Sequence, residues 1–286
     1  MQDWLKTLKQ KKQELDRLPR LSKAQVKNIE DWLRVELTYT SNAIEGNTLS
    51  RQETALVVEK GLTVEGKTLK EHQEAINHAA AWELVKQLAK KGNKVKARDI
   101  LDIHRLILSK IDDSEAGRFR SIPVRISGST VILPNALKVP ELMEELFVWL
   151  KATKDHPVKT AAEAHYRLVS IHPFVDGNGR TARLLMNLIL VKSGYPAAVI
   201  KKEDRLKYLN SLEKAQLGGS KNDYYQLIYE AVDCSFDPYL EAKQESESSK
   251  SQRLKIGALA KSSGESVATI RFRTKSGLLP VVGYTS

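Results

Sequence analysis

The stretch Ile171-His172-Pro173-Phe174-Val175-Asp176-Gly177-Asn178-Gly179-Arg180-Thr181-Ala182-Arg183 constrains this chain more than any other. It sets an imidazole, a carboxylate, a Gly-Asn-Gly turn and two guanidiniums directly ahead of the apolar run LLMNLILV. A glycine turn entering an apolar helix presents backbone N–H groups at a helix N-terminus, where the dipole favours an anion. Arg180 and Arg183, three positions apart, share a face at the start of that helix. Cations there oppose the dipole, so fold stability does not select them, whereas a polyphosphate ligand does. His172 lies just upstream, where a general base can reach a group attacking that phosphate. The plain alternative is a glycine turn capping a helix that carries surface arginines.

Composition sets outer bounds. A chain of 286 residues, 41% hydrophobic, can bury a substantial core as one main domain with an appendage. Helix formers dominate and strand-like alternation is scarce, so the expected class is all-α in the main. Cys234 is the single cysteine, which excludes an internal disulfide and a cysteine-based zinc site. No apolar run approaches ~18 residues, so no membrane span is expected. The start, MQDWLKTLKQKKQEL, lacks the apolar centre of a signal peptide, and Trp4, Leu5, Leu8 and Leu15 read as one face of an amphipathic helix. A cytoplasmic location follows as the expectation. The net charge of +11 points to nucleotide, nucleic acid or an acidic protein surface, although solvated lysines give the same total.

Residues 22 to 60 read as two helices broken at Gly46-Asn47, with Ser50 as N-cap of the second. Ser41 and Glu45 stand at i and i+4 on one face of the first. Spacing alone favours a helix that simply ends there, with Glu45 in solvent. The next segment, Gly61-Leu-Thr-Val-Glu-Gly66-Lys67-Thr68, satisfies the pattern of a phosphate-binding loop. Four constrained positions arise by chance in about one chain in a hundred of this length. The repeated βα units such a loop requires are missing. It reads better as a polar connection into LKEHQEAINHAAAWELVKQLA, with Thr68 as cap.

KARDILDIHRLILSKI is an amphipathic helix with His104 as a structural residue on its apolar side. VRI and TVIL flank Ser127-Gly128-Ser129, predicting a small β-hairpin over residues 122 to 134. Two helices, VPELMEELFVWLKAT and TAAEAHYRLVSI, lead to His172. His165 and His172 are two turns apart, but no third ligand presents itself, so His165 is assigned to packing rather than to a metal. DRLKYLNSLEKAQLGG and DYYQLIYEAVDCSFDPYLE complete the helical set, with Tyr208 read most simply as a buried residue. AKQESESSKSQ is a polar linker. Beyond it, from Lys250 on, seven Lys/Arg face one Asp/Glu, in a pattern that fits two short helices turning at Gly264. The expected organisation is therefore 1–92 as an N-terminal helical region, 93–240 as the core, 241–251 as linker and 252–286 as a helix-turn-helix-like segment.

HPFVDGNGRTAR resembles the signature loop of the Fic family, HPFx(D/E)GNGRxxR, at all nine specified positions. The resemblance implies a Fic-type helical bundle and transfer of AMP from ATP to a Ser, Thr or Tyr hydroxyl of a target protein. His172 would be the base and Asp176 would hold Mg²⁺. Gly177, Asn178, Gly179, Arg180, Thr181, Ala182 and Arg183 would bind ATP, with Tyr208 against the nucleoside. Ser41, Glu45 and Gly46 match the family's inhibitory motif (S/T)xxxE(G/N), ahead of the loop as in the class with an N-terminal inhibitory helix. Glu45 would then pair with Arg183 and occupy the γ-phosphate site, a carboxylate competing with a phosphate for one guanidinium fork. The hairpin matches the family's flap, which holds a target segment by β-augmentation. The tail is similar to the start of the MerR-type domain, IgxxAkxxGvsxxTIRyYxxxGLL. It matches at Ile256, Ala260, Gly264, Thr269, Ile270, Arg271, Gly277, Leu278 and Leu279; Phe272 and Arg273 replace the usual aromatic pair, and the segment ends near where a winged-helix wing would begin. That adds DNA, through residues 252–286, as an open partner, and a DNA-binding regulator with a nucleotide-sensing core as the alternative function. Removal of AMP by a Fic-type centre is the other alternative, and a homo-oligomer is left open.

Overall fold

The computed structural model describes residues 2–243 and 256–276. In chain order the helices are α1 (Gln2–Arg17), α2 (Lys23–Ile44), α3 (Arg51–Lys60), α4 (Leu69–Lys90), α5 (Ala97–Leu108), α6 (Val139–Ala152), α7 (Pro157–Ile171), α8 (Asn178–Lys192), α9 (Arg205–Gln216) and α10 (Asn222–Cys234). Residues 237–243 are helical (α11), and the tail contributes α12 (Ile256–Ser263) and α13 (Val267–Lys275). The helical class expected from the sequence is what forms.

α8 is the central element. From Arg180 to Leu190 every residue is buried, the pattern of a helix enclosed on all sides. α7 packs beside it, and its buried Ala161, Ala162 and Ala164 are small side chains that let the two backbones approach closely. α2, α4 and α5 close the remaining sides. The one polar residue deep in α8, Asn187, is satisfied by Ala198, donating to its carbonyl at 3.1 Å and accepting its amide at 2.8 Å. One hydrophobic core runs from Leu8 and Leu33 through Trp82 to Phe236, so the expected N-terminal region and core share a single interior.

Helix ends follow their capping chemistry. Ser22, Ser50 and Thr68 each head a capping box, with Gln25, Glu53 and Glu71 answering three residues on. The ALVV stretch before Gly61 is helix α3, and Gly61 is its left-handed C-cap. His72 folds the Gly61–Thr68 connection, accepting the Val64 amide on Nε2 at 2.8 Å. That segment is a connection and no phosphate loop.

Two expectations need correction. VRI and TVIL do not pair as strands; no strand occurs among the described residues. The turn forms, with Ser129 N–H donating to Ile126 O at 3.2 Å, but the far side is held by a side chain. Glu213 of α9 accepts from Ser129 Oγ at 2.7 Å and from Thr130 N–H at 3.1 Å, the second a backbone donor that a ladder would use. A lone two-stranded ribbon has little stability of its own. Residues 241–243, expected as linker, are helical and tied back by Ala242 O, which accepts from Gln25 Nε2 at 3.0 Å. In the tail, α12 and α13 form with Ala260 and Ile270 as their buried side chains. Gly277, Leu278, Leu279 and the expected wing lie outside the described residues, as do linker residues 244–251.

Candidate active site

The turn between α7 and α8 is held from three sides. His172, the C-cap of α7, has φ 51°, ψ 60°, a left-handed conformation uncommon for a residue with a side chain. Gly177 follows at φ 76° as N-cap of α8, and a Cβ there would press on Ile107. Between them Phe174 is fully buried and stacked on His104, ring centroids 3.6 Å apart. Asn178 braces the same residue, donating Nδ2–H to Phe174 O and accepting Phe174 N–H on Oδ1, both at 2.9 Å.

His104 has one possible tautomer. Its Nδ1 accepts the Gly117 amide at 3.0 Å, so Nε2 carries the proton and donates to Asp176 O at 2.9 Å. Burial pushes its pKa down to about 4, keeping the ring neutral. It is structural, as expected, and its service is to the turn.

His172 Nδ1 faces Val169 O at 3.3 Å; a carbonyl only accepts, so Nδ1 is the protonated nitrogen and Nε2 keeps its lone pair. Burial lowers the His172 pKa. Both effects suit a base. Arg120, which sequence reasoning missed, fixes this backbone. Its guanidinium donates to His172 O at 2.8 Å, Ile122 O at 3.1 Å and Pro134 O at 2.7 Å, and its amide donates to Pro173 O at 2.9 Å. One buried side chain thus ties the turn to both ends of the 122–134 loop. Nothing in its local pattern marked it.

The two loop arginines enter the core. Gly177 supplies no side-chain cap, leaving the amides at the start of α8 open towards the turn. Arg183 donates Nε–H to Ser41 Oγ at 2.9 Å, and its Nη2 donates to Ser41 O at 2.9 Å and to Glu45 Oε1 at 2.6 Å. Burial alone would lower the Arg183 pKa, but the neighbouring Glu45 carboxylate more than reverses that. Ser41 and Glu45 therefore meet the arginine that the sequence pairing named. Glu45 is also the C-cap of α2, where a negative charge opposes the helix dipole. Two cations offset it: Arg183 on Ser41 O, and Arg205, whose Nε–H donates to Ile44 O at 2.7 Å. Gly179 is required beside this pair, since a Cβ would run into Glu45 Oε1.

Arg180 is 3% exposed and lies 3.3 Å from Glu74 Oε1 on α4 and 3.5 Å from Asp176 Oδ2. Glu74 is the second residue that sequence reasoning missed. Its other oxygen accepts from Asn47 Nδ2 at 2.9 Å. Arg180 Nε has no hydrogen-bond acceptor among the described residues and Nη1 has only the ion-pair contact to Glu74, so a buried cation retains donor capacity. Asp176 accepts the Gly177 amide on Oδ1 at 2.6 Å, and its side chain stands half-exposed.

Several expected ligand contacts fall elsewhere. Thr181 and Ala182 are fully buried, and the Thr181 amide donates to Gly177 O, so both pack inside rather than facing the turn. The Asn178 amide is taken up by Phe174. Tyr208 is buried behind Arg183, with its hydroxyl 3.5 Å from Arg183 Nη1 and 2.8 Å from His165 Nε2.

Comparison with known proteins agrees with this geometry. The profile of the Fic/DOC family matches residues 94–190. The chain is 38% identical over 224 residues to "Protein adenylyltransferase Fic" of Aedes aegypti, covering 77% of this chain and 44% of that protein. It is 38% identical over 213 residues to "Protein adenylyltransferase fic-1" of Caenorhabditis elegans, covering 73% and 41%. The chain thus spans less than half the length of these curated relatives. Among solved structures, Fic-1 of C. elegans superposes with TM-score 0.78 at 32% identity, covering 86% of this chain and 73% of that one. A Fic domain containing signaling protein from Bacteroides thetaiotaomicron superposes with TM-score 0.75 at 30% identity, covering 85% and 98%.

Proposed function

The chain belongs to the Fic/DOC family, and from that premise we infer that it is a protein adenylyltransferase, restrained at rest by Glu45. The observation that carries the reading is the Arg183–Glu45 contact at the start of α8. There a carboxylate holds one guanidinium while the neighbouring Arg180 keeps unfilled donors. Phosphate oxygens of ATP match that demand: a helix N-terminus with open amides, two guanidiniums, and a half-exposed carboxylate beside them.

The chemistry proposed is as follows. A target hydroxyl oxygen attacks the α-phosphorus of ATP, and its proton passes to His172 Nε2. The bond from the α-phosphorus to the bridging oxygen breaks, and pyrophosphate leaves with its charge on Arg180 and Arg183. Arg183 takes the terminal phosphate once Glu45 withdraws. Asp176 suits a Mg²⁺ accompanying ATP, because its Oδ2 has only the long contact to Arg180 and such an ion needs one carboxylate beside phosphate and water oxygens. Among the described residues no cluster of His, Cys, Asp or Glu makes a full metal cage. When bound, that ion would neutralise phosphate charge. The loop over residues 122–134 is the proposed place for the target segment. No helix among the described residues is long and apolar enough to cross a membrane.

The test is intact-mass measurement of the Glu45→Gly protein incubated with ATP and Mg²⁺. One added AMP, at a level well above wild type, is expected; equal modification of the two proteins would remove Glu45 as the restraint. Loss of AMP from a modified protein, rather than gain, would place the reverse reaction first. A DNA-binding role for residues 252–286 draws on the basic tail and its two short helices; mobility shift that falls steeply with salt would support it.

A further inference from the structure

Behind Arg183 lies a run of buried polar groups that the mechanism does not use. Tyr224 OH of α10 is 2.8 Å from Ala162 O and 2.8 Å from His165 Nδ1, and His165 Nε2 is 2.8 Å from Tyr208 OH. Tyr208 OH in turn meets Arg183 Nη1 at 3.5 Å. His165, Tyr208 and Tyr224 are all fully buried, so water does not mediate these contacts.

The direction of every proton in the run is determined. Ala162 O only accepts, so the single phenolic proton of Tyr224 points at it. Tyr224 oxygen must then accept from His165, which places the ring proton on Nδ1. Burial, and then the Arg183 charge, push the His165 pKa down to about 3, so the ring is neutral and Nε2 is an acceptor. Tyr208 therefore donates to Nε2 and turns a lone pair towards Arg183. The opposite arrangement would aim a phenolic proton at a guanidinium.

We propose that His165, with Tyr208 and Tyr224, is a positioning relay that keeps a hydrogen-bond acceptor facing Arg183 whichever anion that arginine holds. The geometry separates this relay from the gate. The remaining Arg183 contacts, Ser41 Oγ, Ser41 O and Glu45, all come from the end of α2, whereas Tyr208 comes from α9. When Glu45 withdraws, Tyr208 stays. The relay also begins on α7, the helix that ends in His172, so it fixes Arg183 relative to the base. This assignment rests on the adenylyltransferase reading only for the identity of the incoming anion.

The experiment uses Glu45→Gly as parent, with Tyr208→Phe and Tyr224→Phe added singly. Without nucleotide, ¹⁵N NMR of His165 should show the neutral Nδ1–H form in the parent. Tyr224→Phe, which touches neither Arg183 nor the turn, should shift both the His165 ring signals and the Arg183 Nε–H signal. With ATP, both variants should raise KM by roughly threefold, the scale of a long and weak hydrogen bond, with a far smaller change in kcat. An Nε2–H form in the parent, or folded variants with an unmoved Arg183 signal and unchanged KM, would overturn the relay. If the parent binds no ATP, the adenylyltransferase reading fails, and the nucleotide-free signals still decide the relay.

Discussion

Arg183 and Arg180 leave the same turn of the same helix, and each meets a carboxylate, yet the two pairs are built differently. Glu45 touches Arg183 at 2.6 Å, with its side chain 39% exposed, at the C-cap of α2 and directly before Gly46. Glu74 stands 3.3 Å from Arg180, with its side chain 12% exposed, inside α4, and Asn47 holds its second oxygen. The shorter contact is the more easily opened one. A carboxylate at a helix end can rotate into water while its helix stays in place, leaving Arg183 to its Ser41 contacts and to an incoming anion, whereas Glu74 would have to leave the helix stack. Tether and exposure, rather than distance, distinguish the proposed gate at Glu45 from the brace at Glu74.

The most severe test of that contrast removes what the gate protects. In Glu45→Gly protein, His172→Ala should lower AMP labelling by at least about 10²-fold while ATP still binds. Labelling that persists would mean the opened site works by other chemistry. A smaller effect separates the two carboxylates by stability. Glu74→Ala should cost about 3 kcal/mol by leaving Arg180 only the 3.5 Å contact to Asp176, lowering Tm by several degrees, whereas Glu45→Ala, which leaves Arg183 its two Ser41 acceptors and opens it to water, should cost less. Equal losses from thermal unfolding of the two variants would erase the distinction.

The mildest perturbation is acid, acting on histidines behind the arginines. Burial pushes His78 and His165 down to about 3 and His104 to about 4, from an ordinary 6.5. The unfolded chain takes up these protons first as pH falls, so stability present above the ordinary value is lost on acidification. From about pH 7 to about pH 6 the loss is ~0.7 kcal/mol per histidine, about 2 kcal/mol together. Urea unfolding at the two pH values measures it; a flat profile would mean that these rings are hydrated.

Local chemistry made much of this legible. The turn, its two arginines and the capping residues Ser50 and Thr68 rest on neighbours a few positions apart, and the rejection of Gly61–Thr68 as a phosphate loop rests on the βα units the chain does not supply. Glu45 was different: spacing put it beside Ser41 but favoured solvent, and only resemblance to known loops tied it to Arg183. Glu74, Arg120 and Glu213 were invisible, because the fold brings their partners from distant segments and no periodicity records that. The side chains of Asn178, Thr181 and Ala182 turn inward, which the motif did not record. A motif says which residues occur together, but not which of them face inward to hold the turn that the others use.

Arg120 has a consequence of its own. Its guanidinium closes the 122–134 loop at the root, through Ile122 O and Pro134 O, and holds His172 O with the same group. Once a loop is pinned at its base, the entropy of closing it rises only slowly with added residues. The residues beyond that root are therefore free to diverge in length and character without disturbing the imidazole. If that loop receives the target segment as proposed, a lineage of such proteins can change its clientele while leaving its reagent untouched.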